Sequence, residues 1–174
     1  MKYCAFLRGV NVNGTSMKMA EACKVFADAG MKEVSSVLAS GNILFSSEKN
    51  ISDLKTILEK SMSDYFKYEA FLFLKSEKEV AKIFENCPFT KADDMHIYAF
   101  VGTEGIEKIL LDEFNHSEKT ENEKAEIIEN TFYWQVPKGN TLDSSFGKVL
   151  GKKTLKAQMT SRNMNTFEKI LGKI

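Results

Sequence analysis

Val34-Ser35-Ser36-Val37-Leu38-Ala39-Ser40-Gly41-Asn42-Ile43-Leu44-Phe45-Ser46 is the stretch on which the fold turns. Val34–Ala39 reads as a strand, Ser40-Gly41-Asn42 as a turn and Ile43–Ser46 as a second strand, so a hairpin is predicted. Upstream, Lys2–Leu7 is an apolar strand followed by a helix from about Met17 to Ala29. Met19, Cys23, Phe26 and Ala29 recur there at helical spacing, with Ser16 placed to cap the start and Gly30 to end it. Downstream, a helix from about Ile51 to Phe66 carries Ile51, Leu54, Leu58, Met62 and Tyr65 on one face, and Ala70–Leu74 is a strand. The order βαββαβ is complete by residue 75, which is the ferredoxin-like arrangement.

The rest of the chain begins the same order again. Ser76-Glu77-Lys78-Glu79 is a capping box that opens a helix to about Asn86. Met95–Val101 is a strand and Thr103–Phe114 a helix. Asn115–Lys124 is a charged surface loop. Ala125–Glu129 and Phe132–Val136 form a second hairpin, with cross-strand aromatic packing expected at Phe132-Tyr133-Trp134 and an exposed Tyr133 as the one ring able to stack a base. Leu142, Phe146 and Val149 suggest a helix broken by Gly147 and Gly151. A final helix spans about Ser161 to Gly172, with Met164, Phe167 and Leu171 inward. The expected fold is α+β, with two ferredoxin-like halves packed together and mostly antiparallel sheets: residues 1–75, and residues 76–174 with a basic helical tail. No Pro- or Gly-rich linker marks the join.

Composition bounds the function. The chain has 174 residues, 43% apolar and 28% charged, as in a soluble globular protein. No apolar run approaches the length of a membrane helix, and the N-terminal run is too short for a signal peptide, so a cytoplasmic protein is expected. Cys4, Cys23 and Cys87 are widely spaced, make no CxxC, and read as buried thiols. His96 and His116 stand near no cysteine. No metal-ligand spacing occurs and no cofactor is expected. Net charge is zero but uneven: +2 over residues 1–75, −7 over 76–140 and +5 over 141–174. Glu121-Asn122-Glu123 and Asp93-Asp94 read as solvated surface.

Five segments share one resemblance: Leu7-Arg8-Gly9-Val10-Asn11-Val12, Lys18-Met19-Ala20, Leu38-Ala39-Ser40-Gly41-Asn42-Ile43-Leu44-Phe45-Ser46, Asn86-Cys87-Pro88-Phe89, and Met159-Thr160-Ser161-Arg162-Asn163-Met164-Asn165-Thr166. In that order and spacing the chain resembles the bacterial domain-of-unknown-function family 1697 over nearly its whole length. The resemblance implies paired ferredoxin-like units and carries no catalytic activity with it. The family pattern usually has Gly at Asn13 and Trp at Met164. Asn tolerates the left-handed backbone a turn needs; Met at position 164 removes any role for a ring there.

The candidate site follows from topology. In βαββαβ the loop after the first strand and the turn between the second and third lie on the same sheet edge, and the first and third strands are neighbours. Arg8, Asn11, Asn13, Ser40 and Asn42 are therefore expected to converge where the first helix begins, its dipole adding positive charge. Arg162 and Asn163, near the start of the last helix, are placed to close such a site. Arginine and asparagine recognise carboxylate or phosphate, and these segments hold no His, Cys or acid to act as base or nucleophile. The expectation is a non-catalytic module for a small anionic ligand, a nucleotide or phosphorylated metabolite. Two other readings stand beside it: nucleic-acid binding through the basic tail, with Lys148, Lys152, Lys153 and Lys156 on phosphates, and a transferase or hydrolase acting on a phosphorylated substrate, its base supplied by His96 or by a carboxylate folded nearby.

Overall fold

The computed structural model describes residues 1–12 and 15–174. Asn13 lies outside the described residues. Contacts divide the chain into two compact units, Met1–Ala81 with Glu168–Ile174, and Lys82–Phe167.

The first unit contains β1 (Lys2–Arg8), a two-residue ribbon of β2 (Asn11–Val12) and β3 (Thr15–Ser16), α1 (Met19–Asp28), β4 (Lys32–Val37), β5 (Asn42–Ser46), α2 (Ile51–Phe66) and β6 (Phe71–Ser76). Its sheet has the order β4-β5-β1-β6, with every neighbouring pair antiparallel. That is the ferredoxin-like order, with the first and third long strands adjacent. Alternate residues of the central strands, Tyr3, Ala5, Leu7, Ile43 and Phe45, pack with Leu72 and Leu74 of β6 against Ala22, Val25 and Phe26 of α1 and Leu54, Leu58 and Met62 of α2. The two helices bury one stripe each because their apolar residues recur at three and four.

α2 begins and ends as its sequence dictates. Asn50 Oδ1 accepts from the N–H of Asp53 at the start, and Lys67 turns left-handed (φ 56°) at the end. α1 starts later than the periodicity predicts. Ser16 belongs to the ribbon rather than to the cap, and Lys18 at the capping position makes no side-chain bond to the helix.

The chain passes to the second unit within α3 (Glu77–Glu85), whose capping box forms as read. Ser76 N–H and Oγ both donate to Glu79 Oε2 (2.8 Å each), and Glu79 N–H donates back to Ser76 Oγ (3.3 Å). Then come β7 (Met95–Gly102), α4 (Ile106–His116), β8 (Lys124–Ile128), β9 (Thr131–Pro137), α5 (Ser145–Val149), α6 (Lys153–Lys156), β10 (Met159–Asn163) and α7 (Met164–Leu171). The β8–β9 turn places Glu129 (φ 44°) and Asn130 (φ 64°) left-handed, one residue before the expected Asn130-Thr131.

The second sheet runs β10-β7-β9-β8, again antiparallel throughout and again in the ferredoxin-like order. The predicted helical ending is corrected here. Thr160-Ser161-Arg162-Asn163 is a strand paired with Tyr98–Val101, so the second unit completes the βαββαβ plan instead of stopping short of it. Its core gathers Phe100, Phe114, Phe132, Trp134 and Phe146, with Trp134 against Phe146 edge to face at 5.0 Å.

Candidate functional site

The end of β1 and the β4–β5 turn are joined by a backbone hydrogen bond. Arg8 ends β1, and the N–H of Leu7 donates to the carbonyl of Gly41 (2.8 Å), so the β1–α1 loop and the β4–β5 turn meet at one edge. Gly41 has φ 83°, and a methyl group on it would stand 2.6 Å from Val10 Cγ1 and 3.0 Å from Leu7 Cβ. Only glycine allows that approach. The loop then doubles back. Met17 N–H donates to Val10 carbonyl (2.9 Å), which returns the chain to the same edge as α1 begins. The first turn of α1 therefore lies beside the end of β1, without a side-chain cap on its N–H groups.

Residue by residue, the roles divide. Arg8 is half-buried, and that desolvation draws its guanidinium below the usual arginine range; arginine remains charged at neutral pH all the same. Asn11 is exposed on the ribbon. Asn42 is fully buried and its amide donates to Val37 carbonyl (2.9 Å) and Ser40 Oγ (3.0 Å), so these two side chains hold the turn together. Leu38, in the same turn, is 44% exposed and has φ 61°, a left-handed backbone that leucine rarely adopts.

Arg162 and Asn163 belong to the second unit. Arg162 is buried, and its Nη1 donates to Thr160 Oγ1 and Ser161 carbonyl, both 2.8 Å. Asn163 caps α7, its Oδ1 accepting from the N–H of Asn165 (2.9 Å). That turns its amide nitrogen toward His96 Nδ1 (3.1 Å), so Nδ1 is the acceptor and the neutral ring carries its proton on Nε2.

The remaining candidates resolve on burial. Tyr133 packs with its neighbours in the core as expected, which rules out the alternative of an exposed ring stacking a base; its hydroxyl donates to Ile83 carbonyl (2.7 Å), and burial pushes the phenol well above its ordinary range. Glu123, expected solvated, is buried instead. It accepts from Trp134 Nε1 (3.0 Å) and from Thr120 N–H and Oγ1 (3.0 Å each). No sequence signal separated it from Glu121; the partner tryptophan is eleven residues away. Burial also raises the Cys23 and Cys87 thiols, the opposite of what a nucleophile needs.

The lysines of the basic tail divide between the two units. Lys148, Lys152, Lys153 and Lys156 lie in the second unit and Lys169 and Lys173 in the first, and Lys152 is spent on Glu113 (3.2 Å to both oxygens). A groove of about 190 Å³ at the far end of the first sheet, lined by Lys2, Glu33, Ser46 and Lys173 among others, has both lysines bonded to backbone carbonyls. Among the described residues no cluster of three or more His, Cys, Asp or Glu can hold a metal, and no helix is long and apolar enough to cross a membrane.

Residues 1–133 match the family described as a protein of unknown function, DUF1697. The chain belongs to that family. In fold, this DUF1697 chain is similar to a conserved bacterial protein of Streptococcus pneumoniae, with a TM-score of 0.78 at 22% identity over 98% of this chain and 97% of that one. At that identity the likeness speaks for the α+β fold of DUF1697 and for nothing finer. No curated protein matches the chain.

Proposed function

We propose that this DUF1697 chain binds a small anionic ligand, a nucleotide or phosphorylated metabolite, at the β1–α1 edge of its first unit, without turning it over. The observation that carries the reading is that Arg8 ends β1 where the loop returns α1 to the same edge, through Met17 N–H on Val10 carbonyl, with the helix start lacking a side-chain cap. A guanidinium and the positive end of a helix act on an anion together. Asn11, itself exposed, adds an amide. Ser40 and Asn42 serve indirectly by fixing the turn on which Gly41 meets Val10. This edge presents donors and hydroxyls, which favours recognition over proton transfer.

The test is a thermal-shift panel of ATP, glucose 6-phosphate, citrate and a short RNA, run on the wild type, Arg8→Ala and Arg8→Lys. A ligand at about 100 times its dissociation constant adds roughly 2.7 kcal/mol, which for a chain of this size is on the order of 5–10 °C. The expected result is a shift with ATP or glucose 6-phosphate that Arg8→Ala abolishes and Arg8→Lys, which keeps the charge without the planar fork, weakens. A panel with no shift, or a shift indifferent to both variants, overturns the reading. A response to RNA alone, falling steeply with salt, favours nucleic acid instead.

A further inference from the structure

β6 is an edge strand, bonded to β1 on one side only. It contains the uncharged run Ala70-Phe71-Leu72-Phe73-Leu74 with its entry residue, free of proline and glycine. Such a run on an open edge is a template for another copy of itself. Yet its outward N–H groups on Leu72 and Ser76, and that of Ala70 before it, are already occupied. The N–H of Leu72 donates to Glu59 Oε1 (3.1 Å) and its carbonyl accepts from Lys55 Nζ (2.8 Å). The N–H of Ala70 donates to Ser63 Oγ (3.0 Å), and at the far end the N–H of Ser76 goes to Glu79 Oε2 (2.8 Å).

Lys55, Glu59 and Ser63 stand four apart on α2, so they form a row on one face of the helix. Lys55 and Glu59 also pair with each other, and Lys55 sits 5.2 Å from the Phe73 ring centre. A row of side chains thus does for β6 what a neighbouring strand does for an interior one.

The geometry points to an edge closed from within: the Lys55–Glu59–Ser63 row takes the hydrogen-bonding positions of Ala70 and Leu72, at the entry half of the edge, that β6 of a second copy would otherwise use, and keeps the chain from pairing edge to edge. A second copy is the partner the edge fits, because the same apolar run on both sides makes a self-complementary contact. This inference does not depend on the anion site, which is built from other residues.

Two measurements test it. Sedimentation velocity compares the wild type with Lys55→Ala/Glu59→Ala. The variant is expected to form concentration-dependent dimers or larger species while keeping its circular dichroism, with the β6 amides protected in the associated form; Glu59→Gln, which keeps the acceptor for Leu72, should sediment as the wild type. A folded double variant with wild-type sedimentation overturns the inference, as does association that leaves the β6 amides open. Hydrogen exchange on the wild type decides even if the double variant does not fold. The Leu72 amide must exchange within about tenfold of Phe73 beside it; exchange at the open-chain rate shows the row does not hold the edge.

Discussion

Gly41 is the residue on which the candidate edge depends. Its left-handed backbone and its contact with Val10 leave no room for a methyl group. Gly41→Ala is expected to cost roughly 2–4 kcal/mol from strain and crowding together, read as a lower urea midpoint. Leu38 argues in the other direction. It sits left-handed and 44% exposed, so Leu38→Asn gives up little burial and suits the backbone. A gain of about 0.5–1 kcal/mol in a urea melt is the expected outcome. The site itself was only partly legible at this scale. A polar side chain at a turn has the same letter whether it faces a ligand or its own backbone. Asn42 faces Val37 and Ser40, and Asn163 faces Asn165 and His96, and the letters of the sequence carry neither fact.

Elements were readable where their cause is local. The Ser76–Glu79 box lies within four residues and formed as read. Its carboxylate also makes a pH prediction. Burial opposes the charge of Glu79, but bonds from Ser76 and the nearby Lys75 outweigh it and hold the carboxyl below its usual range. A depressed folded value means the contribution is present above the unfolded pKa and is lost as pH falls through the folded one. The stability gap between wild type and Glu79→Ala should therefore be widest at neutral pH and narrow through the acid range, measured by urea melts at stepped pH. β10 was illegible for the opposite reason. Its partner β7 is some sixty residues away, and its buried positions are filled by Met159, Thr160 and Arg162. Without an apolar alternation, a helix start was the nearer local reading, and only pairing with Tyr98–Val101 makes it a strand.

On the scale of the whole molecule, the same strand order appears twice, and the chain crosses between units in α3 and again in α7. The second crossing delivers Glu168–Ile174 to the first unit, where Ile170 is fully buried and Lys173 donates to Ser36 carbonyl (2.8 Å). Ending the chain at Phe167 should lower stability by at least about 2 kcal/mol, the scale of losing one buried isoleucine. Hydrogen exchange should show the loss first in β4 and β1. The returning segment also sets a timetable. A ribosome makes the first unit's long stretch, then all of Lys82–Phe167, and only then the last seven residues that the first unit still lacks. The unit begun first is thus the last to be finished.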